Sequence, residues 1–409
     1  MVKNMEKSWN LNLSSLKELF NGHFMMGNII SPHDFKDEEL LAMFKHHYNT
    51  VTAENAMKPV HITSAPGVYH FEMADKIVAW ANDNDIKLIG HTLAWHGQSA
   101  PWLNRKEDGS PITRSEARAN METFVSTYVG RYAGKVYSWD VINETFRDGD
   151  GKFSGNWRDY LRRETENKRA VGHWFLAYEN GADKDAGESG ADYVFDVFYF
   201  ARKADPAAVL YYNDYNDEMP VKRQAIAQMV EQINEQWKSH PEYDNRLLIE
   251  GIGMQGHYNH VHTKLENIRT ALELYSATGA KIAVTELDFT LGSDETPSNP
   301  LSAEESKLQG QFYSDLFKLY MEFSSAIERV TFWGKDDGAS WRSWGSPTLF
   351  SSAGKAKEAF HTIVATAKGI RLKPDCPCVN RDCMRHGNCD ECEPAHVSRG
   401  GLPSCKRGK

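Results

Sequence analysis

Cysteine is missing from the first 375 residues of this 409-residue chain; all six cysteines, at 376, 378, 383, 389, 392 and 405, fall in the last 34. The body therefore uses neither disulfides nor thiol chemistry. Long apolar runs are missing too: no stretch approaches the ~18 residues that a membrane-spanning helix needs. Met1–Gly22 holds no apolar core of the ~7–15 residues seen in signal peptides, which predicts a cytoplasmic protein, or a secreted one whose leader has been removed. An excess of positive charge is also absent. Lys plus Arg is 47 against 56 for Asp plus Glu, a formal net charge of -9, which speaks against a broad nucleic-acid face. The tail carries six basic and four acidic residues, or +2, leaving -11 to the body. With 41% hydrophobic and 25% charged residues, the chain has the composition of an ordinary globular protein.

Eight short runs rich in β-branched and aromatic residues punctuate the body. They are 24–30, 50–57, 87–96, 136–144, 209–216, 249–257, 281–289 and 330–336. Segments with helical periodicity lie between them. Met121, Phe124, Val125 and Tyr128 form one apolar stripe; Ile226, Met229, Val230, Ile233 and Trp237 form a second; Phe312, Leu316, Leu319 and Phe323 form a third. Thr113-x-x-Glu116 and Ser302-x-x-Glu305 read as capping boxes at helix starts. Eight strands alternating with helices predict an α/β fold, a (β/α)8 barrel spanning residues 1–373, with a short cysteine-rich C-terminal tail at 374–409 after the linker around Pro374. The charged stretch 158–190 reads as an insertion that either modifies the rim of the cleft or forms a solvated surface helix, the second being the favoured expectation.

In such a barrel the active site is built at the C-terminal strand ends, and polar chemistry gathers there in this sequence. The second run ends in Glu54, Asn55 and Lys58, and the third in His91, Trp95, His96 and Gln98. The fourth ends in Asp140, Asn143 and Glu144, and the fifth in Asn213, Asp214, Tyr215 and Asn216. Gln255 and His257 close the sixth, Glu286 and Asp288 the seventh, and Trp333 the eighth, with Trp341 and Trp344 following. Carboxylates, amides and imidazoles bind hydroxyls, and Trp and Tyr faces stack on sugar rings, so the mixture describes a carbohydrate cleft. Glu144 and Glu286 each close an apolar strand. A pair of such carboxyls, one protonated and one ionised, is what glycosidic cleavage needs.

These residues resemble glycoside hydrolase family 10, the endo-β-1,4-xylanases. The matching segments are Thr52–Lys58, Gly90–His96, Trp139–Glu144, Tyr212–Asn216, Gly251–His257, Val284–Asp288 and Ser340–Arg342, in the family's order. The resemblance implies xylan or xylo-oligosaccharides as substrate and a retaining double displacement, with Glu144 as acid/base and Glu286 as nucleophile. It also implies that Asn143 meets the 2-hydroxyl of the reacting sugar and that His257 orients the nucleophile. Lys58, His91, Gln255, Trp95, Trp333 and Trp341 would line the subsite of cleavage, with Glu54 and Asn55 on the next sugar outward. Gln98 and Tyr215 complete the expected substrate-binding set. No cofactor is expected for catalysis.

Two motifs compete with this reading. Gly251-Ile-Gly-Met-Gln-Gly256 matches a dinucleotide-binding fingerprint, but His257-Tyr-Asn-His-Val-His262 follows where a helix should open. Asn143-Glu-Thr145 and Asn12-Leu-Ser14 match the glycosylation sequon by chance, since the first would put a glycan in the cleft. In the tail, Cys376-x-Cys378, Cys383, Cys389-x-x-Cys392 and Cys405, with His386 and His396, offer ligands for structural zinc. Three disulfides are the alternative.

Overall fold

The computed structural model describes residues 8–149, 151–163, 171–370, 376, 378, 385 and 387–407. Cys383 and His386 lie outside the described residues. Eight parallel strands close into a barrel: β1 (Met25–Ile30), β2 (Thr50–Ala53), β3 (Lys87–Trp95), β4 (Ser138–Asn143), β5 (Val209–Asp214), β6 (Gly251–Met254), β7 (Lys281–Thr290) and β8 (Ile327–Phe332). Each strand pairs with the next, and β8 returns to β1 through Met25 opposite Arg329 and Asn28 opposite Phe332. Every strand found from hydrophobic pattern is present. Helices follow each strand in turn: α1 (Glu38–His47), α2 (Glu72–Asp83), α3 (Arg114–Arg131), α4 (His173–Glu179) with α5 (Tyr193–Ala204), α6 (Pro220–Lys238), α7 (Leu265–Ala277), α8 (Ala303–Glu322) and α9 (Glu358–Ala367).

The helices form for the reasons their sequences give. Both capping boxes close: the Thr113 hydroxyl accepts from the Glu116 N–H at the start of α3, and Ser302 does the same for Glu305 at α8. The stripe on α3 and that on α6 are fully buried against the barrel. Of the third stripe, Leu316 and Leu319 are buried, while Phe312 and Phe323 pack partly buried at its margins. Two glycines let neighbouring strands pack closely around aromatic side chains, Gly90 on the helix-facing side of the barrel and Gly251 inside it. A Cβ on Gly90 would stand 2.2 Å from the Trp139 ring, and one on Gly251 2.2 Å from the Tyr211 ring. Each glycine thus makes room for an aromatic side chain on the neighbouring strand.

Two expectations need correction. The eighth strand, read as 330–336, runs from Ile327 to Phe332. Its start was hidden by Glu328 and Arg329, charged residues that strand chemistry disfavours. Arg329 is wholly buried between Asp140 and the Tyr211 ring, and Glu328 binds the hydroxyls of Tyr137 and Tyr211. Its apparent end was wrong because the Asp336 carboxylate caps the turn at Asp337–Ala339. The second correction concerns residues 158–190. Within it, α4 is no solvated surface helix: Trp174, Phe175, Ala177 and Tyr178 are buried in the main core.

Candidate active site

Irregularity concentrates where strands meet the cleft. Register shifts interrupt β3 between His91 and Ala94, β4 between Asp140 and Ile142, and β7 between Val284 and Leu287. A bulge re-aims the side chains beside it, and the one in β7 contains Glu286. Past β4, Glu144 adopts a left-handed backbone (φ 57°), pinned by its N–H on the Asn213 carbonyl at 2.8 Å. A non-glycine residue held there carries strain that the surrounding bonds must offset. Beyond β6, the short strand His257–Asn259 pairs with Asp288–Thr290 of β7, setting His257 opposite Asp288.

These placements join the two glutamates through one set of amides. Glu286 Oε1 accepts from Asn213 Nδ2 at 2.9 Å, and the same Nδ2 reaches Asn143 Oδ1 at 2.9 Å. Asn143 Oδ1 also accepts from Gln255 Nε2 at 3.1 Å, and that nitrogen donates to Glu144 Oε1 at 2.9 Å. Thr285 fixes the amide of Asn213 from behind, its hydroxyl donating to Oδ1 at 2.6 Å. A single buried network thus orients both carboxylates. Lys58 sits among the carboxylates of Glu286, Glu54 and Glu144, which raise its pKa; burial outweighs them and lowers it overall.

The surroundings of the two glutamates differ. Glu286 is buried, with Oε2 3.2 Å from His257 Nε2. The other ring nitrogen of His257 lies 3.0 Å from Asp288 Oδ2. Burial works against charging this imidazole, but Asp288 first and Glu286 second raise its pKa from 6.5 to about 9, so it is a cation at neutral pH. Arg342 Nη1 meets the other Asp288 oxygen at 2.6 Å, and Trp341 Nε1 donates to Oδ2 at 3.2 Å. Glu144 takes four donors. Asn143 Nδ2 at 3.1 Å and Gln255 bind Oε1; Trp95 Nε1 at 2.9 Å and His96 Nε2 at 3.0 Å bind Oε2. Burial raises its pKa, but these donors, His96 foremost, bring it down to about 2.

The remaining predicted residues fall around this centre. Lys58 Nζ donates to Asn55 and Gln98, each at 2.9 Å, and stands 5.0 Å over the Trp95 ring. Glu54 begins the same loop, its N–H on the Ile30 carbonyl at 3.1 Å. His91 Nδ1 is 3.0 Å from Asp140, which is in turn held by Arg329, so these three polar side chains are linked in the barrel interior. Trp333 is buried with its ring edge-on to His91 at 5.6 Å, whereas Trp341 is 63% exposed. Around Tyr215, Arg162 Nη2 donates to the hydroxyl at 2.7 Å and Lys222 Nζ covers the ring at 3.8 Å. Its polar end and one face are thus engaged within the protein. Asn143 gives one N–H of its Nδ2 to Glu144 at 3.1 Å, and the amide has a second N–H with which to meet a sugar hydroxyl.

Sequence reasoning missed Arg162, whose Nε donates to the Glu144 carbonyl at 2.9 Å. It lies in the stretch taken as an insertion, where nothing in the local pattern marks it. Together with Gly172 and Trp174, it lines a cavity of about 20 Å³ behind Glu144, room for a single water. Among the described residues, no three His, Cys, Asp or Glu side chains are gathered so as to hold a metal ion.

The family model of glycosyl hydrolase family 10 matches residues 15–366. The chain is 34% identical over 365 residues to an endo-1,4-β-xylanase A of Thermotoga neapolitana, covering 86% of this chain and 31% of that protein. It thus spans about a third of that relative's length. It is 32% identical over 365 residues to endo-1,4-β-xylanase B of Paenibacillus barcinonensis, covering 86% of this chain and 98% of that one. A crystal structure of the xylanase XynB from that organism superposes with a TM-score of 0.72 at 32% identity, covering 87% of this chain and 99% of that one. A xylanase of this family from termite gut, which also contains an Ig-like domain, gives 0.74 at 34%, with coverage of 88% and 79%. By the family match and by the relative covered nearly end to end, the chain belongs to glycosyl hydrolase family 10.

Proposed function

We propose that this chain cleaves internal β-1,4-xylosidic bonds of xylan or xylo-oligosaccharides with retention of anomeric configuration. Glu286 attacks the anomeric carbon while Glu144 gives a proton to the departing glycosidic oxygen; the C–O bond breaks as a glycosyl ester forms on Glu286. Water then attacks the same carbon, losing its proton to Glu144 and freeing the Glu286 carboxylate. The observation that carries this reading is the shared amide network on Asn213, Asn143 and Gln255, which ends on Glu286 at one side and Glu144 at the other. The unequal surroundings support the division of labour. His257, whose pKa is raised by Asp288 and Glu286, places its Nε2 3.2 Å from Glu286 Oε2 and so holds that carboxylate in orientation. Glu144 is held by neutral amide and indole donors together with His96, so proton donation requires substrate to displace a donor from one of its oxygens.

The reaction so described uses no cofactor. The division into a barrel domain of residues 1–373 and a cysteine-rich tail of residues 374–409 belongs to the same reading. Glu286→Ala tests the assignment: it should abolish reducing-sugar release from xylan while leaving circular dichroism and melting behaviour native-like. NMR of the wild-type reaction should show the β-anomer appearing first. Residual xylan cleavage by the variant, or α-anomer as first product, would refute it.

A further inference from the structure

Two residues on the wall of one cavity each carry a buried nitrogen with no hydrogen-bond partner among the described residues. His96 turns its Nε2 to Glu144 Oε2 at 3.0 Å, which leaves its Nδ1 unpaired. Trp174 is 5% exposed, and its indole Nε1 is unpaired too. Leaving such a group without a partner is costly, so orphaned polar atoms mark places where something else binds. Both residues line the cavity of about 20 Å³ behind Glu144, together with Arg162 and His173. The segment that carries Trp174 is seated tightly there. A Cβ on Gly172 would stand 1.8 Å from the Arg162 carbonyl oxygen, and Arg162 is tied to the end of β4 by its N–H on the Thr145 carbonyl at 2.9 Å.

The chemistry of the two nitrogens fixes what can join them. An indole N–H only donates, whereas an uncharged imidazole that donates through Nε2 accepts at Nδ1. A water meets both needs, taking the indole hydrogen on its oxygen and turning one of its own toward the imidazole. The other groups around the cavity favour an uncharged ring. Arg162 brings a positive charge; His173, whose pKa is lowered to about 4 by burial first and then by Arg105 and His96, brings none; Tyr193 spends its hydroxyl on Thr145. We propose that Trp174 is a positioning residue of the acid/base: through one water in this cavity it holds His96 as the neutral Nε2–H tautomer, so that the proton of the Glu144–His96 pair resides on Glu144. This role rests on the assignment of Glu144 as acid/base. With the carboxyl protonated and His96 neutral, the pair can protonate the glycosidic oxygen. With the same proton on His96 Nδ1, Glu144 is ionised and cannot. The two forms differ only in where one proton sits, and the orientation of the water decides between them.

The test starts with the wild-type protein. A high-resolution crystal structure should show one water within hydrogen-bond reach of both His96 Nδ1 and Trp174 Nε1. Nitrogen NMR should show Nδ1 without hydrogen and Nε2 with it across the pH range of activity. Trp174→Phe keeps a ring but loses the N–H, so the water is free to accept from Nδ1 and His96 draws the proton. The variant should lose about tenfold in kcat/KM on xylan, while an aryl xyloside whose leaving group needs no protonation should stay within about twofold of wild type. Damaged packing alone would slow both substrates alike, and equal losses would overturn the proposal. So would a cavity water that misses either nitrogen, or a hydrogen on Nδ1 in the wild-type protein, whether or not the variant folds. Failure of the acid/base assignment itself looks different: Glu144→Ala would then lose as much on the aryl xyloside as on xylan.

Discussion

His257 bridges two carboxylates, with Nδ1 at 3.0 Å from Asp288 and Nε2 at 3.2 Å from Glu286. Its pKa rises from 6.5 to about 9, so folding is linked to its protonation. The folded state binds the proton more tightly than the unfolded state. The resulting stabilisation is complete below pH 6.5 and is lost as pH rises through about 9. A shift of this size corresponds to about 3 kcal/mol. Denaturant unfolding should therefore show stability falling across that window in the native protein, while His257→Gln lacks this part of the slope. Parallel pH profiles for the two proteins would exclude the linkage.

Glu144 sets a second pH dependence. His96 is the foremost of the donors that hold its pKa near 2, and His96→Ala removes both a hydrogen bond and a potential positive charge. The carboxyl should then keep its proton to higher pH. The basic limb of the kcat/KM profile, where a protonated acid is needed, should move upward. A limb that stays in place or moves down would show that Glu144 is not the group titrating there. The role itself can be separated with Glu144→Ala, expected to lose about 10²–10⁴-fold on xylan. The loss should be far smaller for the first step with an aryl xyloside carrying a good leaving group, and azide should restore turnover by forming a β-xylosyl azide.

The barrel and both glutamates were legible because of a contrast the sequence displays openly: apolar runs that end abruptly in Glu, Asn, His or Trp. Asn143–Glu144 and Thr285–Glu286 show it well, since bulges and strand ends need no long-range information to be suspected. Arg162 and α4 were not legible. The Glu144 carbonyl that binds Arg162, and the core that covers Trp174 and Tyr178 of α4, are supplied by tertiary packing, while in sequence both segments sit within a charged stretch. Strand β8 was half legible for the same reason: Arg329 is buried only because Asp140 waits across the barrel. Tyr215 was placed on the right loop, but the bonds from Arg162 and Lys222 that engage it could not be read from its neighbours in sequence.

Trp341 should act mainly through binding. Its ring is 63% exposed beside His257, with centroids 5.1 Å apart, so one face is open to a sugar. Loss of a stacking face is worth about 1 kcal/mol, and Trp341→Ala should raise KM for xylo-oligosaccharides several-fold with a smaller change in kcat. Trp341→Phe keeps an aromatic face and loses only the N–H on Asp288, so it should restore most of the binding. Equal damage from both variants would place the effect in the Asp288 bond instead of stacking.

Arg162 is a positioning residue for Glu144. It spans from the Glu144 carbonyl to the Tyr215 hydroxyl, bracing a residue whose left-handed backbone needs outside support. Arg162→Met keeps much of the apolar stem but leaves a largely buried carbonyl without its donor, at a cost of about 1–3 kcal/mol. A Glu144 carboxyl displaced by even a fraction of an ångström meets the glycosidic oxygen poorly, while sugar contacts elsewhere in the cleft stay intact. The variant should therefore lose kcat about tenfold or more with KM little changed. Arg162→Lys supplies one donor in place of the fork and should recover part of that loss. A melting temperature that falls while kcat holds would reduce Arg162 to a structural brace with no hold on the acid.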